Sequence, residues 1–294
     1  MKSLKLLPLL VSLATAPLMA EEEAPKLSFK ATEVAPGLFM LMGEGGFAGG
    51  NIGLSVGDDG VVLIDDAMPT TLDIMNQAIK GVTERDIDFV INTHVHGDHT
   101  GNNSVMADAG AHIVAHENLR KHLQTKGMNG KAVAESMLPV ITFTEAMTFH
   151  LNGVDARLIH TPKAHTDGDS VIHFEQLNVI HTGDNFFNGM FPFIDLNSGG
   201  SVDGYIAAQK KIHAMSQDDT KIIPGHGPLA NKADLAKSIA MLEDARSLIM
   251  AAIKAGKSED EVVEMNPLAE KYQSWHWGFI TTERMTRQLY QGLK

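Results

Sequence analysis

The sequence predicts an α/β fold in which two sheets are each covered on their outer side by helices. Three observations carry this expectation. Short apolar, β-branched runs bounded by glycine, asparagine and aspartate recur along the chain from Phe29, the pattern of strands joined by tight turns. The runs fall into two series, each followed by apolar residues at helical spacing; strands first and helix after, twice over, suggests two sheets between helices. No linker, composition break or solenoid-period repeat divides the 294 residues, so residues 21–294 read as a single domain.

Taken in order, Gly37 to Met42 is an apolar run that leads into a glycine-rich loop, Gly43 to Gly50. Asn51 to Val56 and Val61 to Ile64 flank Gly57-Asp58-Asp59-Gly60, a strong hairpin signal. Pro69 to Ile79 holds Leu72, Met75 and Ile79 at helical spacing and suits a helix packed on the sheet. Asp88-Phe89-Val90-Ile91-Asn92 reads as a buried strand, Asn102 to Ala109 as a helix, and His112 to Ala115 as another strand. Residues 117–138 read as mainly helical and polar. The second series is Ile141 to Phe143, Met147 to Leu151, Ala156 to Ile159, Ser170 to Phe174 and Asn178 to His181. Val202 to Met215 is expected as a helix with Ile206 and Ile212 inward, Lys221 to Ile223 as a strand entering a turn, and Asp234 to Ala255 as a long helix. A Trp275-His276-Trp277 cluster precedes a final helical stretch.

Composition is ordinary for a soluble globular protein, with 44% hydrophobic and 20% charged residues. A net charge of −12 leaves no basic stripe for phosphates and argues against nucleic acid or an anionic membrane as partner. A small-molecule substrate is expected instead, and the oligomeric state is open. Residues 1–20 read as a signal peptide: Lys2 and Lys5 form a basic head, Leu6 to Leu18 an apolar core, and Leu18-Met19-Ala20 precedes Glu21-Glu22-Glu23. The run is short for spanning a bilayer, which takes ~20 residues. Cleavage after Ala20 would leave a periplasmic or secreted protein free of the membrane, with Glu21 to Leu27 as a flexible leader. The absence of cysteine rules out disulfides and thiolate ligands, so any metal is held by nitrogen and oxygen.

Fourteen histidines in such a chain call for an explanation. Four metal-capable side chains, His94, His96, Asp98 and His99, lie within Thr93-His94-Val95-His96-Gly97-Asp98-His99-Thr100. An extended backbone turns residues i and i+2 to one side, so His94 and His96 can grip one cation. Asp98 and His99, past Gly97, can be aimed at a second position. Three later stretches have the same character: His160-Thr161-Pro162-Lys163-Ala164-His165-Thr166-Asp167-Gly168-Asp169-Ser170, His181-Thr182-Gly183-Asp184-Asn185, and Ile222-Ile223-Pro224-Gly225-His226-Gly227.

This order of motifs resembles the metallo-β-lactamase superfamily over nearly the whole mature chain. The resemblance implies a four-layer αββα sandwich with a two-metal site in a cleft at one edge. It implies His94, His96 and His165 as protein ligands of the first metal, Asp98, His99 and His226 as those of the second, and Asp184 as a bridge between both. Asp65, in Val62-Leu63-Ile64-Asp65, resembles the family acid that orients the histidine loop from behind. Two departures matter. The best-known antibiotic-destroying class uses a cysteine at the second metal and this chain has none; another lactamase class lacks a bridging acid, whereas Asp184 stands in that place. The ligand set is therefore more similar to that of thioester, lactone and phosphoester hydrolases, while export is typical of the lactamases. Ala164 and Asp167 also replace the glycine and proline common near His165.

The resemblance implies hydrolysis by a water activated between two cations about 3.5–4 Å apart. Two zinc ions suit the imidazole-rich donor set, with iron and manganese left open. The expected substrate is a cyclic amide, lactone or ester, with β-lactamase activity as a main or side reaction. Asp98 is the candidate for guiding the proton to the leaving group. Phe47 in the glycine-rich loop, and Phe187 and Phe191 in Phe186-Phe187-Asn188-Gly189-Met190-Phe191-Pro192-Phe193, are expected to form an apolar substrate wall. The alternative for the latter segment is core beneath the site. No basic cluster is evident for a substrate carboxylate. Two other readings remain: a mononuclear-iron sulfur oxygenase of the same superfamily, and a non-enzymatic exported zinc-binding protein. Among the remaining histidines, His116, His160 and His181 lie near the site in sequence and are candidates to support a ligand, and His276 reads as packing.

Overall fold

A computed structural model of the chain describes residues 26–128 and 130–294. The expected signal peptide, residues 1–20, lies outside them. The first sheet has seven strands in sequential order: β1 (Ser28–Ala35), β2 (Leu38–Glu44), β3 (Ile52–Val56), β4 (Val61–Ile64), β5 (Phe89–Ile91), β6 (His112–His116) and β7 (Ile141–Phe143). β1 to β4 form an antiparallel meander, and Val56 pairs with Val61 across the hairpin expected at Gly57 to Gly60. β4 to β7 are parallel. Parallel neighbours need crossovers, which are supplied by α1 (Leu72–Lys80), by α2 (Gly97–Thr100) with α3 (Asn103–Asp108), and by α4 (Glu117–Thr125).

The second sheet runs β13-β12-β11-β10-β9-β8, built from β8 (Ala146–Leu151), β9 (Val154–His160), β10 (Ser170–Phe174), β11 (Val179–His181), β12 (Lys221–Ile223) and β13 (Ala230–Asn231). α5 (Val202–Met215) makes the crossover between the parallel pair β11 and β12. α6 (Lys232–Lys254), α7 (Glu259–Met265), α8 (Ala269–Tyr272) and α9 (Thr282–Leu293) complete the chain.

The four layers follow from strand alternation. In β4, Val61 and Leu63 pack outward with Met75 and Ile79 of α1, while Val62 and Ile64 pack inward against the second sheet. In β12 the split repeats: Ile223 joins the layer between the sheets and Ile222 packs with Ile212 of α5 and Leu235 of α6. Both sheets are thus apolar on both faces, which is why their strands read as continuous apolar runs. Ile206 turns instead into a separate helical cluster with α6, α7 and α9.

Differences from the sequence reading have local causes. The long helix starts at Lys232 rather than Asp234 because Asn231 and Asp234 form a reciprocal cap. α7 begins on an equivalent Ser258–Glu261 cap. The polar stretch 117–138 is helical only to Thr125, with Gly127 at φ +67° just beyond and a single 3-10 turn at Glu135–Met137. Among the described residues, no helix is long and apolar enough to cross a membrane.

Candidate metal centre

The site forms where β4, β5, β9 and the two parallel strands β11 and β12 end. Strand β5 stops at Ile91, so His94 and His96 lie in the bend beyond it and not on the strand itself. They converge because the loop is tied from behind. Asp65, fully buried, accepts the Thr93 N–H at 2.7 Å, the Thr93 hydroxyl at 2.8 Å and His99 Nδ1 at 2.7 Å. It adopts φ +64°, a left-handed conformation that aspartate tolerates better than most residues. Asp65 thus contacts the histidine loop from behind, where the sequence reading expected an orienting acid. His96 then caps a single helical turn that brings Asp98 and His99 round to the same side.

Hydrogen bonds fix which ring nitrogens face inward. The Thr93 hydroxyl donates its one proton to Asp65, so it must accept from His94 Nδ1, 3.0 Å away, leaving His94 Nε2 as a lone pair. His99 Nδ1 donates to Asp65 and His165 Nδ1 donates to the Phe193 carbonyl at 2.6 Å, so each also turns a bare Nε2 inward. His96 is reversed: its Nε2 donates to Asp195 at 3.0 Å, and Nδ1 faces His165 Nε2 at 2.8 Å. The last pair sets two lone pairs against each other, an arrangement that only a proton or a cation makes favourable.

The expected donors fall into two groups, His94, His96, His165 and Asp184, and Asp98, His99 and His226, with the donor atoms of each group within 4.8 Å of one another. Asp184 belongs to both. Its Oδ2 lies 3.6 Å from His94 Nε2 and 3.4 Å from His165 Nε2, and its Oδ1 lies 3.1 Å from His99 Nε2 and 3.5 Å from His226 Nε2. His94 Nε2, His99 Nε2 and Asp184 Oδ1 are buried without a hydrogen-bond partner. An unpaired buried polar atom costs about 1–3 kcal/mol, so three at one spot fit a site shaped for cations. The donor chemistry, imidazole and carboxylate, fits divalent metals.

Electrostatics agree. Burial would raise the Asp184 carboxyl, but His99 and His226 facing it hold it well below the usual range. Burial would lower His226, yet Asp184 and Asp98 push it up to about 9. His99 is likewise raised against burial by Asp184 and Asp65. The buried carboxylates thus draw positive charge into the centre. Two glycines keep it compact: a Cβ at Gly50 would lie 2.1 Å from the His99 ring, and one at Gly225 would lie 2.0 Å from Asp184 Oδ1. Asn51 clamps the following turn, donating to the carbonyls of Pro224 and Gly227 at 2.9 and 2.8 Å.

The expected substrate wall divides. Phe47 is 55% exposed and stacks on His226 at 5.7 Å, and Phe187, though buried, stacks on the same ring at 4.9 Å. Phe191 does not line the cleft. It is fully buried in the helical cluster with α5, α6 and α9, with its backbone tied to Trp275 and Trp277. The ring beside the first donor group is Phe193, 5.8 Å from His96 and 6.0 Å from His165. His116 and His160 stack on each other at 3.7 Å and reach no donor; His181 is buried with its Nδ1 on the Gly183 N–H. His276 is exposed. Asp195 went unassigned in the sequence and Asn51 was read only as part of a strand; Thr93 stood inside the first motif, and Phe193 and Trp277 in aromatic segments whose placement only the fold supplies.

Comparison with known proteins agrees with this architecture. A family model described as the metallo-beta-lactamase superfamily matches residues 45–226. The beta-lactamase-like protein 2 homolog of Caenorhabditis elegans is 24% identical over 263 residues, 87% of this chain and 81% of that protein. A probable metallo-hydrolase of Methanocaldococcus jannaschii is 28% identical over 183 residues, 58% and 84% of the two chains. Among solved structures, a metallo-beta-lactamase from Pontibacter korlensis is similar in fold, with a TM-score of 0.63 and 17% identity over 74% of this chain and 99% of that one.

Proposed function

The chain belongs to the metallo-beta-lactamase superfamily, and on that premise we propose that it is a dinuclear zinc hydrolase that opens a cyclic amide, lactone or ester. The observation that carries the reading is the split carboxylate of Asp184, one oxygen facing each donor group. The second group, Asp98, His99 and His226, favours two metals over one, and the aromatic rings stacked on His226 favour a substrate site over metal storage.

Divalent cations held by these donors would lower the pKa of a shared water and polarise the attacked carbonyl. The rest falls to the chain. Asp65, Thr93, Asp195 and the Phe193 carbonyl fix four imidazole rings so that lone pairs converge without reorganisation during reaction. Asp98 and His96 are the donors that solvent reaches, with side chains 22% and 24% exposed. The His99 and His226 rings outweigh burial and hold the Asp98 carboxyl down at about 2, so it is ionised at neutral pH. Its ionised carboxylate at the solvent-reached side of the centre makes Asp98 the candidate for guiding the proton to the leaving group. Phe47 and Phe187, stacked on His226, offer an apolar surface against which an acyl group can lie.

The signal-peptide composition of residues 1–20 supports export to the periplasm or beyond. N-terminal sequencing of the mature protein beginning at Glu21 would bear this out. The functional reading is tested by metal quantification followed by a panel of nitrocefin, lactones and thioesters. Turnover of a panel member that is lost on metal removal and in His94→Ala supports it. Full activity in the metal-stripped protein would refute it.

A further inference from the structure

The mouth of the centre carries a cation that the sequence did not advertise. Arg284, in the first turn of α9, lies outside the residues matched by the family model. Its guanidinium stacks 3.8 Å from the Phe279 ring centroid and 5.6 Å from that of Phe193. Phe193 is in turn 5.8 Å from His96, one of the two solvent-reached donors, so a single phenyl ring separates the cation from the centre. Phe279 is 45% exposed and packs edge-on to Phe193 at 5.6 Å.

Arg284 is also uncommitted. Of its five N–H donors, one is used, on the Phe279 carbonyl at 2.9 Å. Among the described residues no carboxylate lies within ion-pair distance of it, whereas Arg246 is paired with Asp203 and Arg287 with Glu259 and Asp260. In a chain of net charge −12, an unpaired guanidinium held over the Phe279 ring and beside Phe193 is a preorganised anion receptor. Asp195, the carboxylate behind His96, already accepts from His96 and from the N–H groups of Asn197 and Ser198.

We propose that Arg284 binds the carboxylate of the substrate, whose apolar body lies on Phe279 and Phe193 while its scissile carbonyl reaches the centre. The substrate class is thus an amphiphilic acid carrying an aromatic or alkyl body. This deepens the hydrolase reading, and it rests on that reading for what happens to the bound molecule. The sequence shows no basic cluster for a substrate carboxylate; here a single arginine takes that part.

The test is calorimetric titration of the purified protein with hydrocinnamate and with hydrocinnamide, which differ in the anionic group alone. The acid should bind about tenfold more tightly than the amide, as expected for a charge-assisted contact. Arg284→Gln should collapse that preference, Arg284→Lys should keep part of it, and Arg246→Gln should leave it intact. Amide binding serves as the internal reference for a folded mouth. Equal affinities, no binding of either probe, or a preference that survives Arg284→Gln would overturn the inference. Because binding and not turnover is read, the result stands apart from the outcome of the hydrolysis panel.

Discussion

Asp195 Oδ2 lies 3.0 Å from His96 Nε2, and this contact turns His96 round so that Nδ1 faces the centre where His94, His99 and His165 present Nε2. Burial alone would raise the Asp195 carboxyl, but the hydrogen bonds from His96 and Ser198 hold it well below the usual range. Asp195→Ala frees the ring to rotate. Metal affinity should fall about 10–100-fold, the usual cost of losing a partner behind a ligand. Competition with a chromogenic chelator measures this, and unchanged affinity would show that His96 is oriented by packing alone.

Asp65 supports the loop rather than the substrate. Asp65→Ala leaves the Thr93 N–H, the Thr93 hydroxyl and His99 Nδ1 without their buried acceptor. Destabilisation of about 3 kcal/mol or more is expected. Urea unfolding of the metal-free protein, where no cation can compensate, is the measurement.

Gly50 tests whether the second donor group depends on close backbone approach. Its φ is not in the left-handed region, so only space forbids a side chain. Gly50→Ala puts a methyl 2.1 Å from the His99 ring and should displace it. Elemental analysis should find the second metal lost and the first retained in a folded protein.

The donor set was legible because its members come in dense motifs at strand ends, where residue type alone announces chemistry. Asp184 could be identified as a bridge only by resemblance; its two-sided contact needs the fold. The aromatic segment after it shows what a linear reading cannot resolve. Phe186 and Phe191 enter two different cores while Phe187 and Phe193 reach donor rings, and no simple period separates the pairs. Asp195 and Arg284 are isolated residues brought in by the irregular chain and by α9, so no local pattern marks them.

The raised His226 predicts a proton count. Metal ligation needs neutral imidazole, and His226, pushed up to about 9, is protonated at neutral pH in the metal-free protein. Metal loading in weak buffer at neutral pH should therefore release about one proton per chain, from His226. The sign is opposite for metal-free folding. A histidine whose pKa rises on folding adds stability that is complete below its ordinary value of 6.5 and is lost as pH rises through about 9. Metal-free unfolding midpoints should accordingly drop across that window, and loading without proton release would contradict the assignment.

The central claim is a pair of cations sharing Asp184. Anomalous diffraction from a metal-loaded crystal addresses it directly. Two peaks about 3.5–4 Å apart are expected, one among His94, His96 and His165, the other among Asp98, His99 and His226, with one Asp184 oxygen on each. A single peak, or an Asp184 carboxylate directed away from both donor groups, would contradict it.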